Sequence, residues 1–234
     1  MVRLDKFLCD CNIGTRSQVK DFIRLGQITV NGQVVKKADS KVDENKDSVT
    51  FRGEVCGYRR FAYYMLHKPA GVVSATVDNT ADTVISLLKN VKDKELFPVG
   101  RLDKDTTGLL LITNDGELAH RLLSPKKHVD KSYLTQIAKP LDEEAIRKLT
   151  EGIDIGDEEQ TLPAKVQILD ESSIILTIHE GRFHQVKRML KAVDNEVLSL
   201  KRISFGPLTL PDELQPGEFR ELTPKEVTAL QNKL

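Results

Sequence analysis

The feature that most constrains the fold is the run Gly100–Gly116, GRLDKDTTGLLLITNDG. A polar loop opens onto a short apolar run, Gly108–Thr113, which ends in an Asn114-Asp115-Gly116 turn. An apolar run of this length bounded by turn residues reads as a strand. A helix over Gly116–Leu123 follows, with Asp115 placed to cap it. Carboxylates on the loop before the strand are held by rigid scaffold on one side and open to a ligand on the other. By that reasoning Asp103 and Asp105 stand nearly level as reactive groups, with plain loop acids as the competing reading. Asp115 is already accounted for by its cap.

Around this run the pattern is α+β. Strands are expected at Ala62–Leu66, Lys131–Ile137, Ala164–Leu169, Ile174–His179 and Val197–Ile203. Helices are expected at Thr83–Leu88, Glu143–Glu151, Phe183–Val193 and Pro224–Lys233. The last opens with Thr223, Pro224 and Glu226, a capping box with proline at the first helical position. On Phe183–Val193, Val186, Met189, Leu190 and Val193 form the apolar stripe, so Lys187, Arg188 and Lys191 face elsewhere.

The first segment is organised differently. Leu4, Phe7 and Leu8 recur at helical spacing, and Val19, Phe22 and Ile23 do so after a capping Thr15. Gly26 ends that second helix. Two β-rich runs, Ile28–Val30 and Gln33–Val35, are joined by Asn31-Gly32, the signature of a type I′ hairpin. A short strand at Ser48–Phe51 closes the unit, and Arg52–Arg60 reads as a linker. The expectation is a small domain over 1–58 and a larger one over 59–234.

Charge is uneven although the chain as a whole is neutral. Residues 1–37 carry a net +4, residues 181–202 a net +4, and residues 142–159 a net −6. Local basic surface matters to a polyanion more than the sum. Arg3, Lys6, Arg16, Lys20 and Arg24 lie on the first two helices, whose apolar stripes turn inward, so they are candidates for phosphate contact. Solvated helix faces are the plainer explanation. The three cysteines have no regular spacing and the histidines are scattered, so no metal is expected. No dinucleotide or ATP motif occurs. No apolar run is long enough to span a membrane, and the N-terminus is unlike a secretion signal. A cytoplasmic monomer is the expectation.

Four ordered motifs carry a resemblance to a known family. Gly100–Gly116 resembles the catalytic motif of the pseudouridine synthases, in the RsuA-type group that acts on small-subunit rRNA. His67-Lys68-Pro69-Ala70-Gly71 resembles the family's lysine–proline–glycine loop, and Lys131-Ser132-Tyr133 its lysine–x–tyrosine motif. Gly181–Met189, GRFHQVKRM, resembles its late basic helix. The N-terminal segment resembles the alpha-L RNA-binding module of small-subunit ribosomal protein four.

The resemblance implies a mixed, mostly antiparallel catalytic sheet and a reaction without cofactor. It makes Asp103 the catalytic carboxylate, Tyr133 the residue that stacks on the base, and Lys187 the cation beside Asp103. Many relatives carry arginine at that position; lysine keeps the charge but loses the bidentate geometry. Arg101 is implied to fill the space a flipped nucleotide leaves, and Leu200 to pack on the base. Arg182 and Arg188 are expected at the RNA.

The implied substrate is ribosomal RNA, best matched by uridine 516 of 16S rRNA, within a small-subunit assembly intermediate. A 23S rRNA or tRNA enzyme of the sister group is the alternative. A non-catalytic RNA-binding assembly protein is disfavoured by the presence of Asp103, Tyr133 and Lys187. A carboxylate hydrolase of nucleosides or sugars would need no RNA module.

Overall fold

A computed structural model describes residues 1–11, 13–44, 46–57, 61–124 and 127–232. The chain forms two compact units, Met1–Phe61 and Ala62–Leu234. The boundary expected at 58/59, the end of the linker at Arg60, and Lys233 lie outside the described residues.

The small unit begins with β1 (Val2–Arg3), α1 (Leu4–Asp10) and α2 (Arg16–Arg24). Thr15 caps α2 in a full capping box: its hydroxyl accepts from the Gln18 amide, and the Gln18 side chain accepts from the Thr15 amide at 2.9 Å. The helix stops at Leu25, and Gly26 then takes a left-handed φ of 71°. Next come β2 (Ile28–Val30), β3 (Gln33–Val34), β4 (Lys41–Val42), β5 (Val49–Phe51) and β6 (Glu54–Val55). Asn31 and Gly32 both have positive φ, 51° and 80°, as a type I′ turn demands. The sheet order is β3-β2-β5-β6, and β1 pairs with β4. Leu4, Phe7, Leu8, Val19, Ile23, Ile28 and Val49 pack into one core with Val42 and Cys56. Burial pushes the Cys11 thiol up to about 12, which keeps it unreactive.

The large unit contains β7 (Tyr63–Lys68), β8 (Phe97–Pro98), β9 (Thr107–Thr113), α3 (Gly116–Leu123), β10 (Lys131–Ile137) and α4 (Glu143–Glu151). It continues with β11 (Lys165–Ile168), β12 (Ser173–Ile178), α5 (Gln185–Ala192), β13 (Val197–Phe205), β14 (Leu208–Thr209), β15 (Phe219–Glu221) and α6 (Pro224–Asn232). The main sheet runs β11-β12-β10-β13-β9-β7-β15, with β8 added to β9 and β14 to β13. Its pairings are antiparallel except for β9 with β13. The architecture is therefore a small helix-and-hairpin unit plus a larger unit built on a mixed, mostly antiparallel sheet. Asp115 caps α3 as expected, accepting from the Leu118 amide, and also accepts from the Tyr63 hydroxyl at 2.8 Å. No helix among the described residues is long and apolar enough to cross a membrane.

One expected helix is absent. Thr83–Leu88 forms turns, not a helix. Val84 and Leu88 are buried at the spacing that suggested a helix. The Thr83 hydroxyl takes the Ser86 amide, the Ser86 hydroxyl takes the Thr83 carbonyl at 2.8 Å, and these local bonds compete with a helical ladder. Helix α5 also starts two residues later than expected, because His184 adopts a left-handed φ of 49°.

The parallel pairing depends on Gly108. Its φ is 105°, and a Cβ there would lie 2.2 Å from the Arg202 carbonyl oxygen and 2.6 Å from the Arg202 amide nitrogen. Only glycine lets the two backbones approach this closely. Gly108→Ala should therefore cost ~3 kcal/mol or more of stability, since both strain and a backbone clash must be relieved. Urea unfolding of the purified variant measures it; a loss below ~1 kcal/mol would show that β13 can move aside.

Candidate active site

The loop carrying Asp103 is clamped at three points. Lys68 is fully buried at the end of β7. Its ammonium donates to the carbonyls of Pro69 at 3.0 Å, Lys104 at 3.2 Å and Thr106 at 2.8 Å. An ammonium has three N–H donors, so this arrangement satisfies it completely. Burial pushes its pKa down to about 8, against the opposing pull of Asp105 and Asp103. The Gly71 amide adds a second donor to the Lys104 carbonyl at 2.8 Å. Ser74 grips Leu102 from both sides, its hydroxyl donating to the carbonyl at 2.9 Å and accepting from the amide at 3.0 Å. A turn from the Thr106 amide to the Asp103 carbonyl at 3.1 Å completes the loop. Asp103 is thus presented from a backbone held on both sides of it.

Helix α5 brings cationic and imidazole groups to this loop. The Lys187 ammonium lies 2.6 and 2.8 Å from the two carboxylate oxygens of Asp105 and 3.2 Å from Asp103 Oδ2. The expected partner of Asp103 therefore bridges both acids and sits closer to Asp105. Burial opposes the charge on Lys187, but its bonds to Asp105 and Asp103 outweigh this and hold its pKa above the ordinary lysine value. The bond to Lys187 in turn holds the Asp105 carboxyl below its usual range. His184 Nε2 lies 3.5 Å from Asp103 Oδ1. No role for His184 was read from the sequence. Its spacing of three from Lys187 was the available signal that both face the same loop.

A pocket opens beside Asp103, lined by Arg101, Leu102, Tyr133, His184, Val186 and Leu200 among others. Tyr133 comes from the middle of β10, opposite Leu176 on β12 and Arg202 on β13. It is 8% exposed and also belongs to the main core, so the core and ligand-facing readings of this residue coincide. Leu200 supplies an apolar wall from β13. Asp105, with 72% of its side chain exposed, is not among the lining residues. Geometry separates two acids that spacing left nearly level.

The expected RNA-contacting cations divide into two groups. Arg101 is exposed at the pocket rim. Arg182 is engaged by Glu180 at 3.0 Å and by the carbonyls of Glu159 and Gln160 at 2.5 and 2.8 Å. Arg188 binds the Asp157 carboxylate and the Ile155 carbonyl. Both guanidiniums also reach Asp157, and Arg182 lines the pocket beside Asp103. In the small unit, Arg3 pairs with Asp5 at 2.8 Å, Lys6 with Asp10 at 2.8 Å and Arg24 with Asp21 at 3.0 Å. Arg16 and Lys20 are exposed one turn apart on α2 and make no salt bridge among the described residues.

Residues 62–192 match the family model for RNA pseudouridylate synthase, and residues 2–47 match the S4 domain. The chain belongs to the RNA pseudouridylate synthase family. It is 47% identical over 234 residues to an uncharacterized RNA pseudouridine synthase of Bacillus subtilis, covering 98% of each chain. It is 41% identical over 230 residues to ribosomal small subunit pseudouridine synthase A of Vibrio cholerae, covering 98% of this chain and 99% of that one. A crystal structure of a pseudouridylate synthase superposes with a TM-score of 0.70 at 39% identity, covering 98% of this chain and 100% of the other. The synthase reaction is an isomerisation of uridine in RNA, and the S4 domain marks an RNA-binding module.

Because the synthase holds its acidic loop through one buried ammonium, Lys68→Met should leave three carbonyls without that donor. The expected loss is ~3 kcal/mol of stability, at ~1–3 kcal/mol per unsatisfied buried acceptor with partial relaxation. Linkage adds a pH signature. The folded protein releases the Lys68 proton near 8 and the unfolded chain near 10.5, so unfolding takes up a proton between those values. The wild type should therefore gain stability over Lys68→Met as pH rises from 8. Urea midpoints of both proteins at pH 7, 8 and 9 check this; a deficit that narrows with pH would contradict it.

Proposed function

We propose that this enzyme converts one uridine of ribosomal RNA to pseudouridine, with 16S rRNA as the substrate and uridine 516 as the target. The observation that carries the catalytic part is the meeting of Asp103, Tyr133 and Leu200 at one pocket, with the Lys187 ammonium 3.2 Å from Asp103. The choice of 16S rRNA is supported by the small-subunit enzymes among the relatives. Ribosomal large subunit pseudouridine synthase B of Bacillus subtilis is 40% identical over 237 residues, so overall identity favours 16S over 23S rRNA only slightly. An assembling small subunit in the cytoplasm is the proposed setting.

The chemistry assigns each group a task. The bond between N1 and C1′ breaks, the freed uracil turns, and C5 joins C1′. N1 ends with a proton and C5 gives one up, so the product is an isomer and no electrons are exchanged. Asp103 either adds to C1′ or offsets its developing positive charge. Lys187, 3.2 Å from Asp103 Oδ2, sets a positive charge beside that carboxylate. The uridine must first leave its stack, at a cost of a few kcal/mol. Tyr133 offers the uracil an aromatic face, and the C5 proton passes to solvent. Leu200 packs against the base, and Arg101 enters the gap the nucleotide leaves in the RNA.

Transcripts of 16S and 23S rRNA labelled with tritium at uridine C5 release the label when pseudouridine forms, and mapping of the product locates the site. The wild type should release tritium from the 16S transcript alone. Asp103→Asn should abolish release, at least ~10³-fold, while Asp105→Asn retains at least a tenth of the rate. Release from 23S rRNA alone would move the proposal to the sister group. An inactive Asp105→Asn beside an active Asp103→Asn would reverse the assignment.

The small unit has its own test. Arg16 and Lys20 are the cations of α2 left to contact phosphate, so Arg16→Gln with Lys20→Gln should weaken RNA binding at moderate salt. The slope of log affinity against log salt should flatten by about one to two, at up to ~0.9 per lost duplex contact. A salt series of binding titrations reads this directly, and an unchanged slope at wild-type affinity removes α2 from the RNA interface.

A further inference from the structure

Phe183 stands out among the large apolar side chains because it is 76% exposed beside the catalytic loop. Its ring is stacked on that of His184, with centroids 3.8 Å apart and planes 18° from parallel. His184 in turn reaches Asp103 at 3.5 Å. One face of the Phe183 ring is therefore occupied by imidazole. The cleft that Phe183 lines also contains Arg101, Asp103 and Lys104.

The position is braced. The preceding Arg182 is tied to Glu180, Glu159 and Gln160. The Phe183 carbonyl accepts from Arg188 at 3.1 Å. His184 holds the left-handed conformation that turns the chain into α5. An exposed aromatic ring on a braced backbone loses little further freedom when a flat ligand lies against it. The same cleft also holds Asp157, Glu158 and Glu159, so attraction of phosphate does not carry the reading; a phenyl ring in water with one face free suits a nucleobase, which it can cover whatever the base.

We infer that Phe183 is a stacking platform for an unpaired nucleobase of the RNA next to the target uridine, with His184 as the inner layer of the same stack. This rests on the uridine-isomerising reading of the Asp103 pocket. The platform is separate from Tyr133, which faces the target base itself. It binds through a π face without reading a hydrogen-bond edge, so it positions the strand and tolerates different bases. Phe183 is thus a positioning residue for the RNA.

The test uses the full-length protein and the labelled 16S transcript. Phe183→Ala should raise KM ~10-fold, with a smaller change in the maximal single-turnover rate, and Phe183→Tyr should restore KM. Phe183→Leu keeps apolar cover over His184 but lacks a π face, so it should behave as the alanine variant does. The chain contains no tryptophan, so Phe183→Trp also installs a single reporter. Its emission should be quenched when an oligouridylate binds, whereas a tryptophan replacing the exposed Ile168 on the edge strand β11 should not respond. Rescue by leucine, or an unchanged KM for Phe183→Ala, overturns the platform, as does an unquenched tryptophan at RNA concentrations that saturate binding. If the wild type leaves the 16S transcript unmodified, the choice of substrate fails instead. The quenching arm, which needs only bound RNA, still decides the role of Phe183.

Discussion

The buried ammonium of Lys68 is the interaction on which the site depends. A loop bearing Asp103 and Asp105 ought to swell away from a core, because two like charges repel and carboxylates seek water. Lys68 holds it by its backbone, with bonds to the Pro69, Lys104 and Thr106 carbonyls. It leaves the two carboxylate side chains free to meet Lys187 and the pocket. This division between backbone held from below and side chains presented above is what preorganisation requires: on the proposed reading, the Asp103 carboxylate is fixed before the RNA arrives. Ser74 performs the same service for Leu102, whose apolar side chain then turns into the core.

The second constraint is topological. Residues that meet at Asp103 come from the loop before β9, the middle of β10, the start of α5 and the body of β13. Gly108 lets the β9 backbone approach that of β13 at Arg202, and Thr107 pairs with Lys201 in the same short parallel ladder. Arg202 adds a bond from its guanidinium to the Leu109 carbonyl at 2.8 Å. Leu200 lies just beyond this contact, so the wall of the pocket is set by the same close approach that seats β13 against β9.

Much of this was legible in the sequence where a local rule governs. Thr15, Asp115, Asn31-Gly32 and the α5 stripe each act through neighbours within four residues, and each behaves as its spacing suggests. What was not legible depends on partners remote in sequence. Lys68 reads as an ordinary lysine until its burial is seen. Lys187 meets Asp105 across 82 residues, and no spacing rule ranks Asp105 against Asp103 as its nearer partner. Thr83–Leu88 misled because its apolar period is real while its hydroxyls favour turns. Arg182 meets Glu180 nearby, but Asp157, which reaches both Arg182 and Arg188, lies on another stretch of chain that no spacing rule points to.

That last point bears on how the enzyme treats RNA. Non-specific attraction to a polyanion grows with the number of cations that can replace its counterions. In this chain some cations are already matched: Arg3 by Asp5 at the start of α1, Lys6 and Arg24 by neighbours on their own helices, and Arg182 and Arg188 by the acidic loop. A matched arginine must give up a carboxylate before it gains a phosphate, so its contribution to binding is a difference and therefore small. Arg101, which makes no salt bridge among the described residues, sits exposed at the pocket itself. On the proposed reading, discrimination between RNA sites then draws on terms that matched charges do not dilute: the shape of the RNA, and the ease with which one uridine leaves its stack.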